Sequence, residues 1–381
     1  KSEPVDNLIA NLSLFADKPF HRGKTFLFFD EIQEFKELAT KIKFWVDEGS
    51  FRYVFSGSLL GVELKNIKSA PVGYLKTFTM YPLDFEEFLQ IYNFSQDLRA
   101  SLYRSFAERK PVNESVHERM MQIFNMYLNV GGMPSAVETF KETRNLEDVI
   151  AEHNDIVMQY KKDFTRYETE DRKPYLTKIY DLIPAELNNS NKRFNFADLK
   201  KGLQYSRSED NFIWLANAGV ALPVYNVAAP TIPLLLNAKS SLFKLFLSDV
   251  GMLTSLYGRA TKKQLLSDDQ DINNGALYEN VVAQELKVHG FKLYYYNSKK
   301  FGELDFVIEY KGKVLPIEVK SGKNYQRHSA LSNVMEISNY SIEEAFVLSN
   351  FNVEVKGNIV YYPIYMLMFI EEEGIKLPEV D

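Results

Sequence analysis

Along the chain the spacing of apolar positions changes several times, and each change marks an element. Phe26 to Phe29 is an unbroken apolar run that ends in Asp30-Glu31, the pattern of a strand buried on both faces of a parallel sheet. Phe35 to Trp45 has helical spacing, and Arg52 to Phe55 is a second apolar run ending in Ser56-Gly57-Ser58. Strand, helix and strand within about 30 residues predict a βαβ unit. Lys76 to Met80 predicts a further strand. Pro82 and Asp84 then predict a helix start with acids in its first turn.

Residues 97 to 165 predict helices broken at Gly131-Gly132-Met133-Pro134. Pro174 to Val227 predicts short helices and two apolar runs, Ile213 to Leu215 and Val220 to Val227, with Pro230 and Pro233 punctuating the end. Three small helices followed by such a hairpin-like tail have a winged-helix shape. Further on, Gly275 to Val288 predicts an amphipathic helix and Phe291 to Tyr296 a strand. Two more strands flank Lys311-Gly312, and alternating α and β elements follow. Tyr361 to Ile370 predicts a core strand or helix, since crossing a bilayer takes roughly 20 apolar residues. The organisation expected is α/β, in four segments: 1–96, 97–165, 166–240 and 241–381. The sequence contains no internal repeat and no low-complexity tract.

Composition narrows the class. A length of 381 residues favours two to four domains, and 45% hydrophobic with 25% charged residues is a globular balance. The chain has no cysteine, which excludes disulfides and Cys-ligated zinc. With no secretion signal at its start, this suits a cytoplasmic protein without a membrane partner. A net charge of −6 excludes a uniformly basic nucleic-acid binder, though not a local basic patch. The five histidines, His21, His117, His153, His289 and His328, are scattered and suggest neither a zinc site nor a Ser-His-Asp triad.

The stretch HRGKTFLFFDEIQEF, His21 to Phe35, contains two motifs of a nucleotide site, Gly23-Lys24-Thr25 and, five residues after Thr25, Asp30-Glu31. A phosphate-binding loop needs GxxxxGK(S/T) between a strand and a helix, so that free amides cradle phosphate. Gly23-Lys24-Thr25 fails twice: Lys18 stands where the first glycine belongs, and Thr25 runs into a strand. No other such motif occurs in the 381 residues. The acidic half is more promising. Asp30 and Glu31 lie at the carboxyl edge of a predicted sheet, where ligands bind in open α/β folds. Asp30 could hold magnesium and Glu31 could polarise an attacking water. The alternative makes Asp30 a helix N-cap with Glu31 in the first turn. Ser56, at the tip of the next strand, could touch the γ-phosphate or the attacking water, or simply belong to a turn.

These motifs carry a resemblance. FLFFDEIQEF, YVFSGSLLGVEL, PVGYLKTFTMYPLDFEEFL and GGMPSAV, in that order, are similar to a family of bacterial and archaeal AAA-like ATPases. The resemblance makes Asp30-Glu31 the Walker B pair and Ser56 the sensor position, and it implies ATP and Mg2+ as cofactors. It puts the phosphate loop some tens of residues before the Walker B strand. The chain opens on Lys1, so that loop is expected upstream of this sequence.

A second candidate lies in ELDFVIEYKGKVLPIEVK, Glu303 to Lys320. A hairpin turning at Lys311-Gly312 puts Asp305 opposite Glu318 and Glu303 opposite Lys320. Alternation then sorts Leu304, Phe306, Ile308, Tyr310, Leu315, Ile317 and Val319 to one face and the acids with Lys320 to the other. Such carboxylates can hold a hard divalent ion that activates water, with Lys320 orienting it. The bland alternative is a polar sheet face with a Glu303–Lys320 surface pair. Pro316 requires its missing N–H to point away from the ladder, or a bulge. The D-x(12)-E-x-K pattern resembles the PD-(D/E)XK restriction-endonuclease fold, and the resembled ATPase family carries a nuclease-like C-terminal domain. That fold often adds a glutamate from a preceding helix. Glu279 is preferred for this over Glu285, which lies six positions on and on a different side.

Between these sites, Lys192, Arg193, Lys200, Lys201 and Arg207 are interleaved with Phe194, Phe196 and Tyr205, which could stack on bases or simply pack. The family's winged helix would put a recognition helix near Glu209 to Ala218, yet that helix starts acidic. Two functions follow. One is an ATP-driven machine acting on DNA with a magnesium-dependent nuclease-like domain. The other is a nucleotide-regulated scaffold whose nuclease-like fold binds a partner, or itself, without cutting.

Overall fold

The computed structural model describes residues 19–32, 36–57, 76–166, 173–189, 191–200, 205, 208–267 and 274–372, with Asn11, Ser13, Leu14 and Ala16. Lys18, Phe35, Ser58, Lys201 and Arg207, named above, lie outside these. The chain forms two compact units, residues 1–80 and 81–381.

In the first unit β1 (Phe26–Phe29), α1 (Lys36–Glu48) and β2 (Arg52–Phe55) form the expected βαβ unit, the strands parallel and in register from Phe26↔Arg52 to Phe29↔Phe55. Phe29 stacks 5.6 Å from both Trp45 and Phe55. The expectation that β1 is buried on both faces is not met: Leu27 is buried, but Phe26 and Phe28 are 61% and 63% exposed. Successive side chains of a strand point to opposite faces, and the described residues cover only one. Nor does the strand expected over Lys76 to Met80 form. No described strand pairs with it, and Met80 is 96% exposed.

The second unit opens with α2 (Phe85–Phe88), started by Asp84 and Glu87 in a reciprocal capping box. Helices α3 (Gln96–Glu108), α4 (Glu114–Val130), α5 (Pro134–Thr143) and α6 (Leu146–Arg166) follow. They break at Gly131-Gly132 as the sequence predicts, with Pro134 opening α5. This break is a packing joint. The Leu83 amide donates to the Gly132 carbonyl at 2.7 Å, and the Gly132 amide donates to Asp249 at 2.6 Å. A Cβ at Gly132 would sit 1.9 Å from the Leu83 carbonyl oxygen.

Next come α7 (Lys173–Asn188), α8 (Phe196–Leu199) and α9 (Glu209–Asn217). Ile213 to Leu215, taken above as half of a hairpin, lies inside α9, where Phe212, Trp214 and Leu215 are buried. The hairpin is instead β3 (Ala221–Val227) with β4 (Ala238–Leu247). Position 240, the expected segment boundary, therefore falls within a strand. Short helices α10 (Val250–Tyr257) and α11 (Arg259–Leu266) lead to α12 (Gly275–Val288). Strands β5 (Tyr294–Ser298), β6 (Gly302–Tyr310) and β7 (Lys313–Lys320) follow, then α13 (Ser329–Met335), β8 (Ala345–Ser349), β9 (Glu354–Lys356) and β10 (Ile359–Pro363).

All strands from β3 onward share one mixed sheet in the order β4-β3-β5-β6-β7-β8-β10-β9. The parallel β3–β5 pair welds the hairpin to the C-terminal strands. Helix α12 is not amphipathic as expected. Every residue from Ala276 to Leu286 is buried, Glu279, Asn280, Gln284 and Glu285 included. A buried polar group must find partners, and those partners make the site described below. Ile364 to Phe369, after β10, is buried throughout.

Gly132→Ala should destabilise the protein by about 3 kcal/mol or more, because neighbouring backbone blocks the added carbon. Gly357→Ala, at positive φ but in open space, should cost only about 1–2 kcal/mol. Urea titration of the two variants checks the contrast.

Candidate functional site

The first site lies at the carboxyl ends of β1 and β2. Before β1 the amides of Gly23, Lys24 and Thr25 are all engaged. Gly23 donates to Ser50 at 2.7 Å, and Lys24 and Thr25 donate to the His21 carbonyl at 3.1 and 3.0 Å. Amides so engaged cannot cradle a phosphate, so Gly23-Lys24-Thr25 is a turn, as its context predicts. After β1, Asp30 is exposed and accepts a hydrogen bond from the Ser56 hydroxyl. The described part of α1 begins at Lys36, and the described partner of the Asp30 carboxylate is Ser56. Glu31 is exposed and sits at φ 50, the left-handed region that non-glycine residues seldom occupy. The backbone closes the corner: Ser56 donates to Phe29 and Ile32 to Ser56, each at 3.0 Å. The tips of the two strands thus present Asp30, Glu31 and Ser56.

The second site surrounds the buried face of α12. The hairpin turns at Lys311 and Gly312, both at positive φ, and its register is the one the turn predicts, from Phe306↔Ile317 to Tyr310↔Lys313. Pro316 pairs with Val307 and causes no bulge. The irregularity is on the other side of β6, where Tyr294 faces Val307 and Tyr296 faces Leu304. Three steps along β6 therefore match two along β5. This bulge breaks the alternation assumed from sequence, so Leu304 joins the core cluster of Val307 and Val314 rather than the face of Phe306. The Glu303–Lys320 pair is replaced as well. Glu303 binds Lys244 at 2.6 Å, and Lys320 binds Glu318 at 2.6 Å.

Lys244, on β4, has a fully buried side chain, and its ammonium also lies 3.3 Å from Glu279. The face of Tyr295 covers the remaining side, its centre 5.1 Å from the nitrogen. The second carboxylate oxygen of Glu279 is taken by Lys192. Residues 193–194 run alongside β4, with Arg193 bridged to Lys244 and the Phe194 amide on the Phe243 carbonyl, which aims Lys192 at α12. Burial opposes both charges, but the surrounding acids hold the Lys244 pKa above its ordinary value, and the two lysines hold Glu279 below its own. Asp305 behaves oppositely. Burial, then the charges of Glu279 and Glu318, push it well above the carboxylate range. Its Oδ2 accepts from the Val319 amide at 2.9 Å. Glu318 is 5% exposed, and its Oε2 has no hydrogen-bond partner. Glu279, Asp305, Glu318 and Lys320 are thus neighbours. Even so, among the described residues no three acidic or histidine side chains converge on a single metal position.

Glu285 faces elsewhere, as its spacing from Glu279 implies. Its Oε1 accepts from the Phe85 amide at 3.0 Å and the Tyr127 hydroxyl at 2.9 Å. Burial and nearby Asp84 raise its pKa well above the ordinary value. The intervening polar residues of α12 serve backbone ends. Asn280 pairs with both backbone groups of Leu247, and Gln284 accepts from Val250. Sequence reasoning missed Lys244. Its signal was a single lysine within the apolar run Leu242 to Leu247.

Comparison with known families bears on both sites. Residues 2–89 match an AAA domain, residues 121–263 a domain of unknown function (DUF8612) and residues 274–367 another (DUF4143). The first and last matches support an AAA-like ATPase family. No curated protein matches the chain. No helix among the described residues is long and apolar enough to cross a membrane.

The two glutamates of α12 should respond differently to amidation. Glu279→Gln leaves two lysines undercompensated and should cost about 3 kcal/mol. Glu285→Gln replaces a carboxyl whose charged form burial disfavours, and it should stay within about 1 kcal/mol of wild type. Because the folded pKa of Glu285 is raised, its contribution is complete below the unfolded value and declines as pH rises above it. Glu285→Gln should therefore gain relative to wild type as pH rises above the ordinary carboxylate value of about 4.3, as measured by urea denaturation across pH.

Proposed function

We propose that this protein is an AAA-like ATP-binding and hydrolysing protein whose nucleotide chemistry uses Asp30, Glu31 and Ser56. The observation that carries the reading is the Ser56–Asp30 hydrogen bond across the carboxyl ends of adjacent parallel strands, where such folds bind ligands. An exposed carboxylate beside a hydroxyl fits the oxygen-rich, partly hydrated shell that magnesium prefers. Bound Mg2+-ATP would supply the polarised phosphoryl group. Asp30 would hold the ion, Glu31 would orient and deprotonate the attacking water, and Ser56 would fix Asp30 and meet the γ-phosphate side.

For the rest of the chain we propose a winged-helix-like segment joined to a PD-(D/E)XK-like fold. Helices α7 to α9 followed by the β3–β4 hairpin support the first. Helix α12 packed on the β6–β7 hairpin, with its carboxylates and Lys320, supports the second. Of the two functions, the nucleotide-regulated scaffold is favoured over a machine acting on DNA. Lys192 points at Glu279 rather than outward. Phe194, Phe196 and Tyr205 pack on one another and on Phe212 and Phe243, and Phe194 is buried, which favours a packing role over base stacking.

The test is ATP turnover, measured with whatever sequence the gene places before Lys1 included. Glu31→Gln should lower the hydrolysis rate at least about 100-fold, the scale of a lost general base, while retaining nucleotide binding. Asp30→Asn should weaken Mg2+-dependent binding. Hydrolysis by Glu31→Gln at the wild-type rate would refute the assignment.

A further inference from the structure

The carboxylate cluster on α12 and the β6–β7 hairpin suits a divalent metal by composition but not by geometry. Four acids, Glu279, Glu303, Asp305 and Glu318, gather there with three lysines, Lys192, Lys244 and Lys320. A metal-dependent site must leave carboxylate oxygens free to replace water on the ion. Here Glu279 has a lysine on each oxygen, Glu303 has Lys244 on one and Asn297 on the other, and Asp305 takes an amide. The buried Glu318 Oε2 has no hydrogen-bond partner, and Asp305 is engaged through Oδ2.

We propose that the Lys244 ammonium is the resident cation of this cluster, standing where a nuclease of this fold would place its metal, so that the site binds no Mg2+ or Mn2+, cuts no phosphodiester, and clamps β4 to α12 and β6. The inference rests on the PD-(D/E)XK-like reading of the fold. Three observations carry it. Lys244 reaches Glu279 at 3.3 Å and Glu303 at 2.6 Å from a side chain with no solvent exposure, so the two acids are neutralised from within the chain. Its third side is closed by the ring of Tyr295, a π face that suits an ammonium and offers no oxygen to a hard cation. And Lys192 occupies the oxygen of Glu279 that Lys244 leaves over. For a divalent ion to enter, it would have to displace a buried ammonium and bring in several waters.

The experiment uses the full chain. Mn2+ binding is measured by titration calorimetry, and plasmid cleavage is assayed with Mg2+ and with Mn2+. Wild type should take up no Mn2+ that Asp305→Asn or Glu318→Gln abolishes, and should leave the plasmid intact. Lys244→Met, if folded by circular dichroism, should bind Mn2+ at least tenfold more tightly than wild type, and Glu279→Gln added to it should remove the gain. Wild-type Mn2+ binding or cleavage that disappears in Asp305→Asn or Glu318→Gln overturns the inference and leaves the nuclease reading standing. A folded Lys244→Met that gains no Mn2+ also overturns it, because the ammonium then does not occupy a metal position, and the nuclease reading of the cluster falls with it. Should Lys244→Met fail to fold, the wild-type measurement decides alone.

Discussion

One buried charge governs how the second unit is assembled. Lys244 lies on β4 with no exposed surface, and among the described residues its ammonium is satisfied by Glu279 of α12, Glu303 of β6 and the face of Tyr295 on β5. An unpaired ammonium in such a place costs several kcal/mol, so these four elements must be in position together. The same requirement extends outward. Glu279 draws in Lys192, and Lys192 draws in the segment that runs alongside β4. The helical region before the hairpin is thereby fastened to the C-terminal sheet by electrostatics, as it is by the β3–β5 ladder.

Helix α12 is the axis of this arrangement. Its polar residues are distributed so that each meets a different element: Glu279 the lysines, Asn280 the end of β4, Gln284 the start of α10, and Glu285 the start of α2. The pKa values of Glu285 and Glu279 move in opposite directions for physical reasons: burial and the nearby Asp84 raise that of Glu285 against the amide and hydroxyl that donate to it, whereas two ammonium groups outweigh burial and lower that of Glu279. A composition that resembles an amphipathic surface helix thus belongs to one that is enclosed on every side.

What was legible in the sequence was local. The βαβ unit, the Gly131-Gly132 break and the hairpin turn at Lys311-Gly312 each depend on neighbours within a few residues, and the turn alone fixed the register of β6 against β7. The fate of Gly23-Lys24-Thr25 was legible for the same reason, because a loop that enters a strand uses its amides in turning. What was not legible depended on distant partners. The bulge on β6 is set by β5 and moved Leu304 to the other side. Lys244 sits in a strand whose apolar neighbours give no hint of the acids it meets from α12 and β6. Ile213 to Leu215 could belong to a strand or a helix on hydrophobicity alone, and packing of Trp214 and Phe212 within the helical layer decided it.

The central claim is that Lys244, and no metal, balances the acids of α12 and β6. A crystal of the full chain soaked in Mn2+ and measured at a wavelength where manganese scatters anomalously tests it most directly. The account predicts no anomalous peak among Glu279, Asp305 and Glu318, with the Lys244 side chain ordered between Glu279 and Glu303. A peak within bonding distance of those carboxylates, with Lys244 displaced, would contradict it.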